Sequence, residues 1–262
     1  MKVILFEIGG FAVRSYGLVV VLAILLALGA AYYFAKNTAY RNHLSGVFIY
    51  VIIGAMIGAR IWHVFLFQWP YYSEHPELIF AIWRGGIAIQ GALIGGFLAA
   101  ALYSRLHKLS FWEFADIVAP AIILGQAVGR IACFLNGDAY GAPTDSGFGI
   151  VYPEGTMAYD RYGSQPLWPA EVWEGQWNLI VFAMLLILKN RNWPTGFIFL
   201  YYNILYSIGR FSLEFLRGDS PRYALDWTAG QWTSISVILL SFIVMGFLYS
   251  LEKKKSNMEN NF

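Results

Sequence analysis

YGLVVVLAILLALGAAYYFA, residues 16–35, runs for twenty residues without a charge, and its reading decides the fold. A helix rises 1.5 Å per residue and the hydrocarbon layer is ~30 Å thick, so about twenty apolar residues cross it. A cleaved signal peptide is the competing reading, but its apolar stretch is shorter, about 7–15 residues, and follows a basic segment. Here Glu7 and Arg14 stand upstream instead. The run therefore reads as a retained span.

Working outward, residues 227–251 and 85–104 are also uncharged, and residues 192–209 nearly complete a span before Arg210. Three more apolar stretches carry charge: 45–68 with Arg60, 112–132 with Glu113, Asp116 and Arg130, and 171–189 with Glu171 and Glu174. The reading is an all-α polytopic membrane protein of seven transmembrane helices, a single membrane domain over residues 1–262. Composition agrees: 58% of residues are hydrophobic and 13% charged, against about 25% charged in soluble domains.

Basic residues near span ends stay on the cytoplasmic side. Lys36 with Arg41, Arg105 with Lys108, Lys189 with Arg191, and Lys253 to Lys255 fall in alternate connections, so six of seven lysines share one side. The opposite connections hold Glu74, Glu77, Asp138, Asp145, Glu154, Asp160, Asp219 and Asp226. This predicts an N-out, C-in arrangement with a cytoplasmic polar tail at 252–262. Residues 133–166, with the turn signals Asn136-Gly137 and Ala142-Pro143, predict a small extracytoplasmic cap. Residues 69–77, with Pro70, Pro76 and two tyrosines, read as an interfacial arm. Glycines four apart, Gly54/Gly58, Gly91/Gly95 and Gly125/Gly129, read as close helix contacts.

Several function classes drop out. The net charge of +2 is the sum of a basic inner and an acidic outer face, which leaves no basic stripe for nucleic acid. The single Cys133 excludes an internal disulfide, and His43, His63, His75 and His107 are scattered without metal-ligand spacing. Neither a Gly-x-Ser-x-Gly elbow nor a Walker loop occurs.

What remains is charge at membrane depth, which costs roughly 2.5–3.5 kcal/mol per residue on insertion scales and marks function by default. Tyr206, Arg210 and Glu214 share one helical face, with Arg217 a turn further, and Gly129-Arg130 leads into Asn136-Gly137-Asp138-Ala139-Tyr140-Gly141. One reading is mutual neutralisation of Arg210 and Glu214. The other is an anion site, because two arginines with too few acids nearby suit a phosphate, which guanidinium binds bidentately. At this depth the obvious phosphate belongs to a phospholipid. An anion or lipid transporter on the same arginines is the alternative from a different class.

The run from Gly129 to Gly141, GRIACFLNGDAYG, resembles the signature of bacterial prolipoprotein diacylglyceryl transferases. Matches extend to Tyr16-Gly17, Gly85-Gly86, Gly91 to Gly95, and Tyr206, Arg210, Glu214 and Arg217. The resemblance implies transfer of the diacylglyceryl group of phosphatidylglycerol to the lipobox cysteine thiol of a prolipoprotein signal peptide, without a cofactor, in the bacterial inner membrane. It implies Arg130 and Arg210 as the catalytic residues, and phosphatidylglycerol binding by Arg130, Tyr16, Gln90, Asn136, Asp138, Gly141, Tyr206 and Glu214. The chain departs from the pattern at Gln90, where the family has His or Tyr, at Cys133 in place of Asn, and at Asp138 in place of Glu. The family's His-Pro-Ser-Gln-Leu-Tyr-Glu segment stands here as residues 168–174, matching at Pro169 and Glu174. A paralogue with the same lipid pocket and another acceptor is the variant reading.

Overall fold

The computed structural model describes residue 1, residues 3–8 and residues 11–259. Its contacts divide the chain into two compact units, residues 35–114 and residues 1–34 with 115–262.

In the first of these, helices α2 (Leu44–Trp62) and α4 (Ile89–Leu106) pack along their length. Gly54, Gly58, Gly91 and Gly95 make that approach possible. A Cβ on Gly58 would collide with the Gly91 backbone carbonyl, and one on Gly95 with that of Gly54. The arm contains the short helix α3 (Trp69–Glu74) and is followed by two single-turn 3-10 segments. Arg60, near the end of α2, pins the chain that follows. Its guanidinium donates to the carbonyls of Leu78 (2.6 Å), Ile79 (2.7 Å), Gly85 (2.7 Å) and Gly86 (2.8 Å), and stacks over the Tyr72 ring. Its charge is thereby solvated by backbone dipoles. The expected third span begins late: Gly85 and Gly86 have φ of 83° and 74°, a left-handed backbone that cannot continue a helix, so α4 starts at Ile89.

The larger unit opens with a hairpin of β1 (Ile4–Ile8) and β2 (Phe11–Arg14), which runs into α1 (Ser15–Phe34). Helices α5 (Phe111–Asn136), α7 (Ala170–Leu188) and α8 (Phe197–Leu213) meet in a buried core of Ala119, Ile123, Val181, Leu185, Ile198 and Tyr202. Gly125 lies against Ala27 of α1, whereas Gly129 faces open space. Of the third glycine pair, only Gly125 therefore makes a contact. Asp116 accepts from the Gly196 N–H (2.6 Å) and the Phe199 N–H (2.8 Å), fastening the first turn of α8. The last helix, α9 (Ala229–Glu259), packs on α8.

Among the described residues, Ser15–Phe34, Ala39–Phe67, Ile89–Leu106, Phe111–Asn136, Ala170–Leu188 and Ala229–Lys254 are long and apolar enough to cross a membrane. The protein is thus a mostly helical, multi-pass membrane protein. Helix α5 carries Cys133 to Asn136, the start of the expected cap segment, as its last turn before Gly137 takes φ 69°. The tail is helical through Glu259, since its Glu and Lys are good helix formers; residues 260–262 lie outside the described residues. Helix α6 (Met157–Tyr162) belongs to the cap, whose buried centre is Tyr140, Tyr152, Ala158 and Leu167.

Candidate functional site

The side chains of three helices converge on one carboxylate. Arg130, in the last two turns of α5, hydrogen-bonds Glu174 Oε1 through Nη2. Arg210, in the last turn of α8, donates from Nη1 to Glu174 Oε2 at 2.9 Å. The Tyr206 hydroxyl, one turn earlier, reaches Glu174 Oε1 at 3.4 Å. Glu174 lies in the second turn of α7, opposite Arg130, because Gly175 lets the helices close onto the Arg130 Cβ. Arg210 Nη2 also approaches Glu214 Oε2 at 2.7 Å, an ion pair without hydrogen-bond alignment. Glu214 sits in a 3-10 turn just past α8, not in the helix.

Burial divides the network by role. The Glu174 and Glu214 side chains are each 2% exposed, while Arg130 and Arg210 retain 22% and 20%. The guanidinium groups are reachable and their counter-ions are not. Two cations face two carboxylates, so the expected shortage of acids is corrected. Glu174 was the missing partner, and it stands 44 residues from Arg130 and 36 from Arg210, beyond any helical spacing rule.

The loop after α5 adds a second layer. Gly137 and Ala139 both turn left-handed, at φ 69° and 62°, and a Cβ at 137 would strike Thr156. That turn brings the Asn136 amide to 2.8 Å from Asp138 Oδ2. Arg130 Nη1 stands 3.8 Å from Cys133 Sγ, and Tyr16 at the start of α1 shares electrostatic contact with Cys133, Asp138 and Arg130. Gly141 has no room for a side chain: its N–H bonds the Trp168 carbonyl at 2.8 Å, and Trp168 and the Leu216 carbonyl fill the space where a Cβ would project. It pairs in a bridge with Arg217.

Arg217 forks onto Asp219 through Nε (2.6 Å) and Nη2 (2.7 Å). Burial works against its charge, yet the Asp219 hydrogen bond and charge outweigh that and hold the guanidinium above its ordinary pKa. Tyr152 of the cap donates to Glu171, which is fully buried at the start of α7. Burial first, then the Glu171 charge, pushes the Tyr152 hydroxyl well above the usual phenol range, so it stays a donor. Of the residues singled out from sequence, Tyr16, Arg130, Asn136, Asp138, Gly141, Tyr206, Arg210 and Glu214 all belong to this unit. Gln90 belongs to the other, exposed at the second position of α4. Among the described residues, no group of three His, Cys, Asp or Glu could hold a metal ion.

Residues 3–247 match the family model described as prolipoprotein diacylglyceryl transferase. A phosphatidylglycerol–prolipoprotein diacylglyceryl transferase of Acaryochloris marina is 42% identical over 252 residues, 95% of this chain and 91% of its own. One from a Nostoc species is 39% identical, covering 94% and 89%. One from Listeria innocua is 39% identical, covering 90% and 85%.

Proposed function

The chain belongs to the prolipoprotein diacylglyceryl transferase family, and from that premise we propose that the arginine pair on Glu174 is where it handles its phospholipid. The protein transfers the diacylglyceryl group from phosphatidylglycerol to a prolipoprotein. The observation that carries the site assignment is the convergence of Arg130 and Arg210, from two helices, on one anionic oxygen pair. An arrangement that grips a carboxylate between two guanidinium groups also fits the oxygens of a phosphodiester.

The chemistry follows from what must change charge. The acceptor, a lipobox cysteine thiol, attacks the diacylglyceryl carbon that carries the phosphate oxygen. A carbon–sulfur bond forms as that carbon–oxygen bond breaks, the oxygen leaves with the electron pair, and the thiol proton ends on the departing glycerol phosphate. Negative charge grows on that oxygen, and fixed guanidinium groups in a site with little water stabilise it more than the starting ester. Glu214 holds Arg210 in line, Tyr206 steadies Glu174, and Tyr16, Asn136, Asp138 and Gly141 shape the headgroup side of the pocket. Gln90 has no basicity at neutral pH, so it does not take the thiol proton.

Topology fits the same reading. With α8 counted as a span, 17 residues long and ending beside Arg210, seven helices cross the membrane. The alternating lysines support an N-out arrangement in the bacterial inner membrane, with cap and arginines toward the outer leaflet, where an exported precursor arrives.

The test is reconstitution in vesicles containing phosphatidylglycerol, with a lipobox peptide and mass spectrometry of the thioether product. Arg130→Ala and Arg210→Ala should each lower turnover by about a hundredfold or more, the scale of losing one charge-stabilising donor, while the proteins still fold. Near-normal turnover in both variants would remove the arginines from the mechanism. Phosphatidylglycerol uptake without covalent product would favour transport.

A further inference from the structure

Glu174 occupies the guanidinium edges that a phosphate needs. Arg130 Nη2 and Arg210 Nη1 both point at its carboxylate, and Arg210 Nη2 is taken by Glu214. A phosphodiester arriving at this pair would put three negative charges on two cations. Like charges brought together in a medium of low dielectric repel strongly, so one resident carboxylate has to yield.

The structure supplies a place for it to go. Asn178 is one helix turn inward from Glu174 on the same face of α7, fully buried, and neither Nδ2 nor Oδ1 has a hydrogen-bond partner. Side chains on a helix tilt toward its N-terminus, so residue i+4 leans back over residue i, and the Asn178 amide therefore leans toward Glu174. On α5, Gln126 likewise has an unpartnered buried Oε1, beside the Tyr202 hydroxyl of α8. An orphaned buried amide costs free energy and calls for an explanation. Here the donor without an acceptor stands one helix turn from the carboxylate that must move.

We propose that Glu174 is a resident stand-in for the substrate phosphate, and that Asn178 is the positioning residue that receives its carboxylate when the phosphodiester takes the two arginines. The proposal rests on the reading of Arg130 and Arg210 as the phosphatidylglycerol site. In the empty protein Glu174 keeps two guanidinium groups neutralised and aligned. On binding, it rotates inward about its own side-chain bonds, keeps the Tyr206 hydroxyl within reach, and gains the Asn178 N–H groups.

The full chain is reconstituted in phosphatidylcholine vesicles with graded phosphatidylglycerol, and KM and kcat are measured for N178L, N178Q, E174Q and the double variant E174Q/N178L. N178L should raise the KM for phosphatidylglycerol by about tenfold or more, as expected for one lost hydrogen bond to a charged group, and N178Q should restore most of it. On the E174Q background, where no charge needs receiving, N178L should add less than about twofold. An N178L that lowers only the melting temperature, with KM unchanged, overturns the proposal, because the amide then serves a buried water. An N178L effect undiminished by E174Q overturns it too. Should N178L not fold, E174Q alone decides: a neutral amide competes less with phosphate, so the KM must fall, and an equal or higher KM is contrary. Thioether formation by the wild type separates the two levels. Its absence would defeat the functional reading itself, whereas turnover without this KM pattern defeats only the exchange.

Discussion

Three arginines stand at the ends of apolar helices, and their partners give them different work. Arg130 and Arg210 are held by the carboxylate of Glu174, which on our proposal an anion replaces. Arg60 is held by four backbone carbonyls, which nothing replaces. Sequence reading singles out Arg130 and Arg210 and notes Arg60 only as a charge within a span, because it sees charge at membrane depth and not the atoms around it. It finds Arg210 with Glu214, since i,i+4 spacing on one helix predicts that contact. It does not find Glu174 as the hub, because that contact depends on how α7 lies between α5 and α8. For Arg60 the consequence is structural. Arg60→Leu leaves four carbonyls without a donor, each costing about 1–3 kcal/mol if it stays buried. We expect the arm and the chain that follows it, residues 69–86, to become the first site of proteolysis and the melting temperature in detergent to drop by several degrees, about 2–4 °C for each kcal/mol at this size. Unchanged melting and an intact arm would contradict the clamp. Arg60→Lys should recover only part of the loss, as an ammonium has three donors against five.

At the scale of elements, most helices were legible from uninterrupted apolar runs, and their ends were not. The end of α5 is set by left-handed backbone at Gly137, and the start of α4 by Gly85 and Gly86; an apolar average does not register a dihedral angle. The N-terminal hairpin escaped because two strands of five and four residues carry too little pattern. The glycine pairs were legible as contacts, but only geometry separates those that bear on a neighbour from those that do not. This separation can be measured with one substitution at two places. Gly58→Ala drives a methyl into the Gly91 carbonyl and should destabilise the protein by about 1–3 kcal/mol, the usual cost of overpacking. Gly29→Ala in α1 meets open space and should be neutral, or slightly stabilising by helix propensity. Thermal or denaturant unfolding of the two variants checks the contrast, and equal effects would refute it.

For the whole molecule, the prediction concerns sidedness. On the proposed N-out arrangement the cap lies outside and the end of α9 inside, so Asp145→Cys should react with a membrane-impermeant maleimide in intact cells. Lys253→Cys should react only after permeabilisation. Both positions are exposed, so reactivity reports side and not burial, and the reverse labelling would invert the arrangement. What the chain's composition conveys at this scale is the solvent it lives in. The chemistry was legible in it only through a thirteen-residue signature and two distant arginines.

The fastening of α8 bears on how any of this can move. Asp116 grips its first turn through two backbone amides, and Glu174 and Glu214 grip Arg210 in its last. Mechanically the helix is a beam clamped at both ends, with Tyr202 and Tyr206 packed along its middle. Such a beam transmits load and does not slide. A substrate entering beside Arg210 is therefore met by a stiff wall, and the accommodation it needs must come from single side chains turning in place.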